Sequence, residues 1–490
     1  MFTLLAVLHV LGLTVLLFGA TMLVPLMVAW VGSDAALLAY DESILITMAS
    51  GFVVWWGTRR YKRELQPRDG FLLVSLTWTT LPAFATLPLL FYFQQNGTPL
   101  SFTDAYFETV SGLTTSGATV LTGLEHLPAS INVWRHFLVW LGGMGILVLA
   151  VAILPLLGVG GSQIYKAETP GPMKESKLTP RIAETAKGLY AVYFAITLAC
   201  IAAFKLAGMN WLDAVCHAFS TMGLGGFSTY DASFGAFAAH PAVDWVAVAF
   251  MLLASINFSM HFLAWRRKSL SPYWACPEAR FVLLALVGSA LFISIYLYQR
   301  GVYSDLGDAL RYGVFNTVSI ASTTGFANTD YEQWPIFVPV LMIFLSCFAT
   351  SSGSTGGGIK MIRALVLLQQ AGRELSRALH PKQINPVRLG RVAIDNKVVF
   401  AIMAFMLMYG MTIIVATFLL LLSGLDEKSA FTAVMACINN MGPGLGQVGP
   451  ASNYQGLSDF QTWVCTLTML LGRLELFTLL VLFTPAFWRK

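Results

Sequence analysis

Apolar residues run along this chain in long unbroken blocks, not in the three-to-four spacing of a helix on a soluble surface. The blocks lie near 3–30, 38–57, 70–93, 132–158, 184–208, 242–264, 278–299, 335–371, 397–423 and 459–487. Each holds roughly the 20 apolar residues that a bilayer crossing requires. The pattern predicts ten spans, the eighth of them interrupted. Between spans lie four shorter segments, each sixteen residues long: FTDAYFETVSGLTTSG (Phe102–Gly117), WLDAVCHAFSTMGLGG (Trp211–Gly226), LRYGVFNTVSIASTTG (Leu310–Gly325) and FTAVMACINNMGPGLG (Phe431–Gly446). Each starts as an amphipathic helix and then turns rich in Ser, Thr and Gly. None is long or apolar enough to cross.

Composition removes the soluble classes. Hydrophobic residues make up 56% of 490 and charged residues 11%, against about a quarter charged in soluble chains. Most of the exterior must therefore face lipid, and the net charge of +5 is no sign of a nucleic-acid partner. The six cysteines form no CxxC pair, which predicts neither a disulfide framework nor a metal site. The seven histidines form no catalytic cluster, so no enzyme is expected. The first block has no Lys or Arg before Arg59, unlike the basic start of a cleavable signal, and is expected to be a retained helix. Of the 30 lysines and arginines, 24 fall in the loops after even-numbered spans and at the C-terminus. That asymmetry predicts two cytoplasmic termini.

The sixteen-residue segments make the chain a fourfold repeat of helix, re-entrant segment and helix. Two spans (1–68) precede repeats at 69–183, 184–277, 278–396 and 397–490. The expected fold is an all-α membrane protein with four pseudo-symmetric repeats around one pore, plus two extra N-terminal transmembrane helices. Non-helical backbone at membrane depth is tolerated only where it is buried in protein or lines water. Four such turns around one axis would present a ring of carbonyl oxygens, which can replace the hydration shell of an ion. Glycine permits the unusual φ/ψ that such a ring requires. The short helices would aim their partly negative C-terminal ends at it. No carboxylate lies within the turns, which speaks against an acidic ring.

Two further anomalies lie inside spans. Glycines 353, 356, 357 and 358 break the eighth span, since each costs a helix about 1 kcal/mol relative to alanine. Arg473 sits within the last span, where a charge is expensive and points to function. Glu475, two residues on, does not share its helix face, so the arginine needs a partner elsewhere. We expect that partner to be carbonyls of the 353–358 loop. Asp104, Asp213 and His217 are expected to cap or hydrogen-bond the pore helices. Asp231 and Asp330 stand just outside two turns, where they could concentrate cations.

The motifs GLTTSGAT, STMGLGGFSTYD, STTGFANTD and NNMGPGLG resemble the four filter signatures of the TrkH/KtrB-type potassium transporter superfamily. The resemblance covers essentially the whole chain, and the two extra N-terminal spans place it nearer the TrkH branch. It implies potassium uptake, with K+ as the transported ion and no cofactor in this chain. By position, the K+ ligands would be Thr115, Ser116, Gly117; Leu224, Gly225, Gly226; Thr323, Thr324, Gly325; and Gly444, Leu445, Gly446. The gate implied is the intramembrane loop with Gly353, Gly356, Gly357 and Gly358, together with Lys360 and Arg473. The resemblance also implies a homodimer, a cytosolic TrkA-type nucleotide-binding regulatory subunit, and a bacterial inner (plasma) membrane. The basic segments 159–183 and 372–397 offer docking surface for such a subunit. The alternative is a secondary transporter of another cation such as Na+, which would favour inverted repeats with ionisable midplane residues.

Overall fold

The computed structural model describes residues 2–61, 63, 65–148, 178–383, 385–390 and 392–489; most of the segment 159–183 lies outside them. Helices α1 (Phe2–Thr21) and α2 (Leu23–Gly32) form the first span, and α3 (Leu37–Thr58) the second. A methyl on Gly12 would stand 2.6 Å from the backbone of Trp55, and one on Gly51 2.8 Å from that of Leu16. Small residues thus let the first and second spans touch backbone to backbone, a common device where no hydrophobic force pulls helices together. The pair leans on the first repeat through the Tyr40 hydroxyl, which donates to Ser130 O at 3.0 Å.

The four repeats follow in order. The first has α4 (Pro67–Ala85) and α5 (Leu87–Gln95), the pore helix α6 (Phe102–Leu113), and α7 (Ala129–Val148). The second has α8 (Leu178–Leu206), the pore helix α9 (Trp211–Gly223), then α10 (Pro241–Ala254) and α11 (Phe258–Arg267). The third has α12 (Pro277–Gln299), the pore helix α13 (Leu306–Ala321), then α14 (Phe337–Ser346) and α15 (Met361–Leu379). The fourth has α16 (Asn396–Leu422), the pore helix α17 (Glu427–Ile438) and α18 (Asp459–Arg473), which resumes as Phe477–Phe483. Two-residue strands, β1 (Arg388–Leu389) and β2 (Val392–Ala393), pair antiparallel between α15 and α16.

The architecture is the all-α fourfold one expected, but two spans read as continuous are bent. α10 and α11 meet at 92°, and α18 and its continuation at 107°. A bend frees backbone hydrogen-bonding groups that lipid cannot satisfy. At the first bend the interrupted eighth span supplies them. Ser351 N donates to Ser255 O and Phe258 N to Gly353 O, both at 3.0 Å. One break is thus built around another. At the second bend Glu475 and Leu476 adopt positive φ, of 53° and 56°, and Glu475 turns away to pair with Arg363 of α15.

Candidate ion filter and gate

Each pore helix begins at a residue whose side chain accepts the amide three positions on. Ser101 receives Asp104 N, Asn210 receives Asp213 N, Asp305 receives Asp308 N, and Asp426 receives Ser429 N. Such caps satisfy amides that the first turn leaves orphaned. The four helices end in one hydrogen-bond pattern. Ser116 N reaches Ser111 O, Gly225 N reaches Ser220 O, Thr324 N reaches Ser319 O, and Met441 N reaches Ala436 O, at 2.8–3.0 Å. The residue before each donor is left-handed: Thr115 (φ 55°), Leu224 (53°), Thr323 (65°) and Asn440 (52°). Left-handed φ costs a non-glycine residue about 1–2 kcal/mol. Four such residues at one register mark a shape imposed by the whole assembly. The residue after each donor is glycine: Gly117, Gly226, Gly325 and Gly442.

These glycines close a ring. A methyl on Gly117 would strike Gly226 N; one on Gly226 would lie 2.6 Å from Gly325 C. One on Gly325 would strike Met441 O, and one on Gly442 would lie 2.7 Å from Ser116 O. Repeats therefore touch in the cyclic order one, two, three, four, one. Only glycine fits where four backbones converge. A cavity of about 70 Å³ is lined by Gly117, Gly226, Gly325 and Gly442 together.

The structure brings nine of the twelve expected filter residues to this ring and corrects the other three. Gly444, Leu445 and Gly446 stand apart from it. Leu445 N donates to Thr432 Oγ1 at 2.9 Å, and Gly446 N to Glu332 at 3.1 Å. Their places are taken by Asn440, Met441 and Gly442. The sixteen-residue frame started four residues late, because α17 begins at Glu427, capped by Asp426. The missed signal was the cap. Ser101 precedes Gly117, Asn210 precedes Gly226 and Asp426 precedes Gly442 by sixteen residues, whereas Asp305, at the start of a longer helix, precedes Gly325 by twenty.

A second set, of which the sequence singled out His217 alone, shares one register. Nine positions before each ring glycine stand Glu108, His217, Asn316 and Ala433. The first three brace the extended segment rising from their own turn. Glu108 accepts Val120 N at 3.0 Å, His217 Nε2 bonds Ser228 Oγ at 2.9 Å, and Asn316 Nδ2 donates to Asn328 Oδ1 at 2.6 Å. Glu108 is itself paired with buried Arg135 at 2.8 Å. Asp213 holds Thr229 and Tyr230 rather than capping its helix. Asp104 likewise lies in the first turn, bonded by the Ser101 hydroxyl at 2.7 Å. Asp231 accepts the amides of Gly123 and Leu124, and Asp330 that of Glu332.

Beneath the ring lies the 349–360 stretch between α14 and α15. The Thr355 hydroxyl donates to Met222 O at 2.9 Å, and Gly357 N to Thr323 Oγ1 at 2.8 Å. A methyl on Gly357 would strike Asn439 O. The loop thus abuts the C-terminal ends of three pore helices. Gly353 sits at the α10–α11 bend, and Gly356 O accepts the buried Lys360 ammonium. Arg473, buried at the end of α18, reaches the loop as its lack of a neighbouring partner implied. Its Nη1 donates to Thr355 O at 2.9 Å and its Nη2 to Gly142 O of α7 at 3.2 Å. Glu278 of α12 was not anticipated. Its carboxylate accepts Ser352 N at 2.7 Å and Ile362 N at 3.3 Å, on either side of the loop.

The family model described as "TrkH: Cation transport protein" matches residues 39–490. The Trk system potassium uptake protein TrkH of Vibrio parahaemolyticus is 45% identical over 487 residues, covering 99% of each chain. TrkH of Escherichia coli K12 is 43% identical over 485 residues, again covering 99% of each, and TrkG of the same organism 37% over 484, covering 98% of each. The crystal structure of the potassium transporter TrkH from V. parahaemolyticus matches with a TM-score of 0.91 at 42% identity, covering 99% of this chain and 100% of that one.

Proposed function

This chain belongs to the TrkH family of cation transport proteins, and we propose that it takes up K+ across a membrane through the glycine ring, gated by the loop beneath. Its close relatives are transport proteins named for potassium uptake. The observation that carries the reading is the closed ring. Four turns of one backbone shape meet at Gly117, Gly226, Gly325 and Gly442, each at the partly negative end of a pore helix. K+ is cargo, and the chain supplies no cofactor. The filter ligands in this reading are Thr115–Gly117, Leu224–Gly226, Thr323–Gly325 and Asn440–Gly442.

The loop closes the pathway from below, with Lys360 and Arg473 placing positive charge where a cation must pass. Opening requires it to leave Met222, Thr323 and Asn439. The test is uptake of radioactive rubidium into K+-loaded liposomes by the purified protein, with and without Gly325→Ala. Uptake that external K+ competes away, and that the substitution weakens or makes unselective, supports the ring as filter. Uptake indifferent to Gly325 would overturn it.

The chain works in this reading as a homodimer in a bacterial inner membrane, with both termini cytoplasmic. Supporting the dimer, α15 exposes Leu368, Leu375 and Leu379 along one stripe. The last two lie past the polar run Gln369–Arg373, where lipid tails no longer cover them. Exposed Arg377, Lys382, Arg388 and Lys397 support docking of a TrkA-type nucleotide-binding regulatory subunit on that side.

A further inference from the structure

The four turns share one backbone, yet among the described residues only one of the four glycine carbonyls is hydrogen-bonded. Tyr454, fully buried, lies in a short turn ahead of α18, and its hydroxyl donates to Gly442 O at 2.7 Å. The carbonyls of Gly117, Gly226 and Gly325 accept no hydrogen bond among the described residues. The same tyrosine crosses to the first repeat. Its N–H donates to Thr119 O at 2.9 Å, two residues beyond Gly117. Its ring lies 5.2 Å from that of Phe107 on α6.

The position is singular for a second reason. Ionised side chains bridge the other seams of the ring. Arg135, paired with Glu108, donates to Ser228 O at 3.2 Å between repeats one and two. Arg311 and Asp244 join repeats two and three at 2.6 Å. Lys428 and Glu332 join three and four. Between four and one no ion pair occurs among the described residues; Arg473 joins them beneath the ring through Gly142 O, and Tyr454 joins them at the level of the ring. Position 433, where the other pore helices carry Glu, His or Asn, is alanine and can brace nothing.

We propose that Tyr454 is a specificity-determining positioning residue that orients Gly442 and weakens its carbonyl as a cation ligand. A carbonyl that accepts a hydroxyl proton has one lone pair committed. It therefore presents a weaker field to an ion than its three free counterparts. Na+ is smaller and more strongly hydrated than K+, so it needs the stronger field to shed its water. One softened quarter tilts the ring toward K+. The inference rests on the ring being the filter.

The test is Tyr454→Phe in the full-length protein in liposomes, which keeps the ring against Phe107 and removes only the donor. The K+-over-Na+ ratio of uptake should fall roughly fivefold, the scale of one neutral hydrogen bond. Incorporating 3-fluorotyrosine at 454, a stronger donor of nearly equal size, should raise the ratio. Phe107→Leu, which loosens packing but leaves the hydroxyl, should lower the melting temperature and leave the ratio alone. If Tyr454→Phe and 3-fluorotyrosine leave the ratio unchanged while Gly325→Ala changes it, the proposal falls and the filter stands. If Gly325→Ala changes nothing either, the filter reading falls too. A Phe107→Leu variant that lowers the ratio as far as Tyr454→Phe does would make the effect one of packing, and also overturn the proposal.

Discussion

Two stretches of irregular backbone lie one above the other at the centre of this molecule, and they are held in different ways. The ring is held by backbone. Its turns repeat one hydrogen-bond pattern four times, and its glycines leave no space between neighbours. The loop occurs once; two backbone bonds tie its start to the α10–α11 bend, and the rest is held by side chains: Arg473 from α18, Thr323 from the third turn and Glu278 from α12. Backbone against backbone cannot yield without moving a whole repeat. A side chain can change rotamer and let go. The contrast suits a fixed selector above a releasable gate.

The sharpest way to break that contrast is to place one methyl in the ring and one just outside it. Gly442→Ala and Gly446→Ala both put alanine at positive φ, 94° and 70°, against a close neighbour. Only the first touches Ser116 of the ring. Gly442→Ala should abolish K+-over-Na+ discrimination, while Gly446→Ala should lower yield or melting temperature and keep the ratio. Competition of rubidium uptake by the two ions separates them. Equal ratios in both variants would restore the register at Gly444–Gly446.

On the gate side, Arg473→Ala removes two bonds from a buried cation, each worth about 1.5–3 kcal/mol. Uptake without any regulatory partner should rise about tenfold or more, with the ion ratio unchanged. A changed ratio would mean that the loop shapes the ring. Ser352 N and Ile362 N share one carboxylate oxygen, so Glu278→Gln keeps an acceptor for both but loses the charge. Basal uptake should rise about threefold, as for part of one charge-assisted bond.

The smallest effect should come from Asp426, far from both regions. Its carboxyl is held below its usual value, first by the Ser429 amide it accepts, helped by Gln447. A lowered folded pKa adds stability above the unfolded value of about 3.9, and that stability is lost as pH falls through the folded one. Asp426→Ala should cost about 1 kcal/mol at neutral pH and less at pH 3, below the unfolded value, read as melting temperature at the two pH values.

The ring was far more legible in the sequence than the loop's surroundings, and repetition is the reason. TTSG alone says little, but four Gly-ended segments at similar spacing locate both the fold and the glycine ring. The slip in the fourth came from anchoring on glycine, which NNMGPGLG offers three times, instead of on the helix cap. The α10–α11 bend was not legible. Ser255–Ile256–Asn257 sits in an apolar run, and the groups that satisfy it lie on residues 351 and 353, nearly a hundred positions away. Arg473 was visible as a charge without a neighbour. Glu278 was not, because a glutamate in the first turn of a helix is ordinary by any local rule.

Glu108, His217, Asn316 and Ala433 face turns of one shape with four different side chains. In a pore assembled from four identical subunits, every substitution arrives in quadruplicate, so a change that is useful once can be ruinous four times over. A single polypeptide carrying its own four quarters escapes that arithmetic. Selection can retouch one wall of the passage and leave three as they were, so ion preference can drift by quarter steps across a lineage.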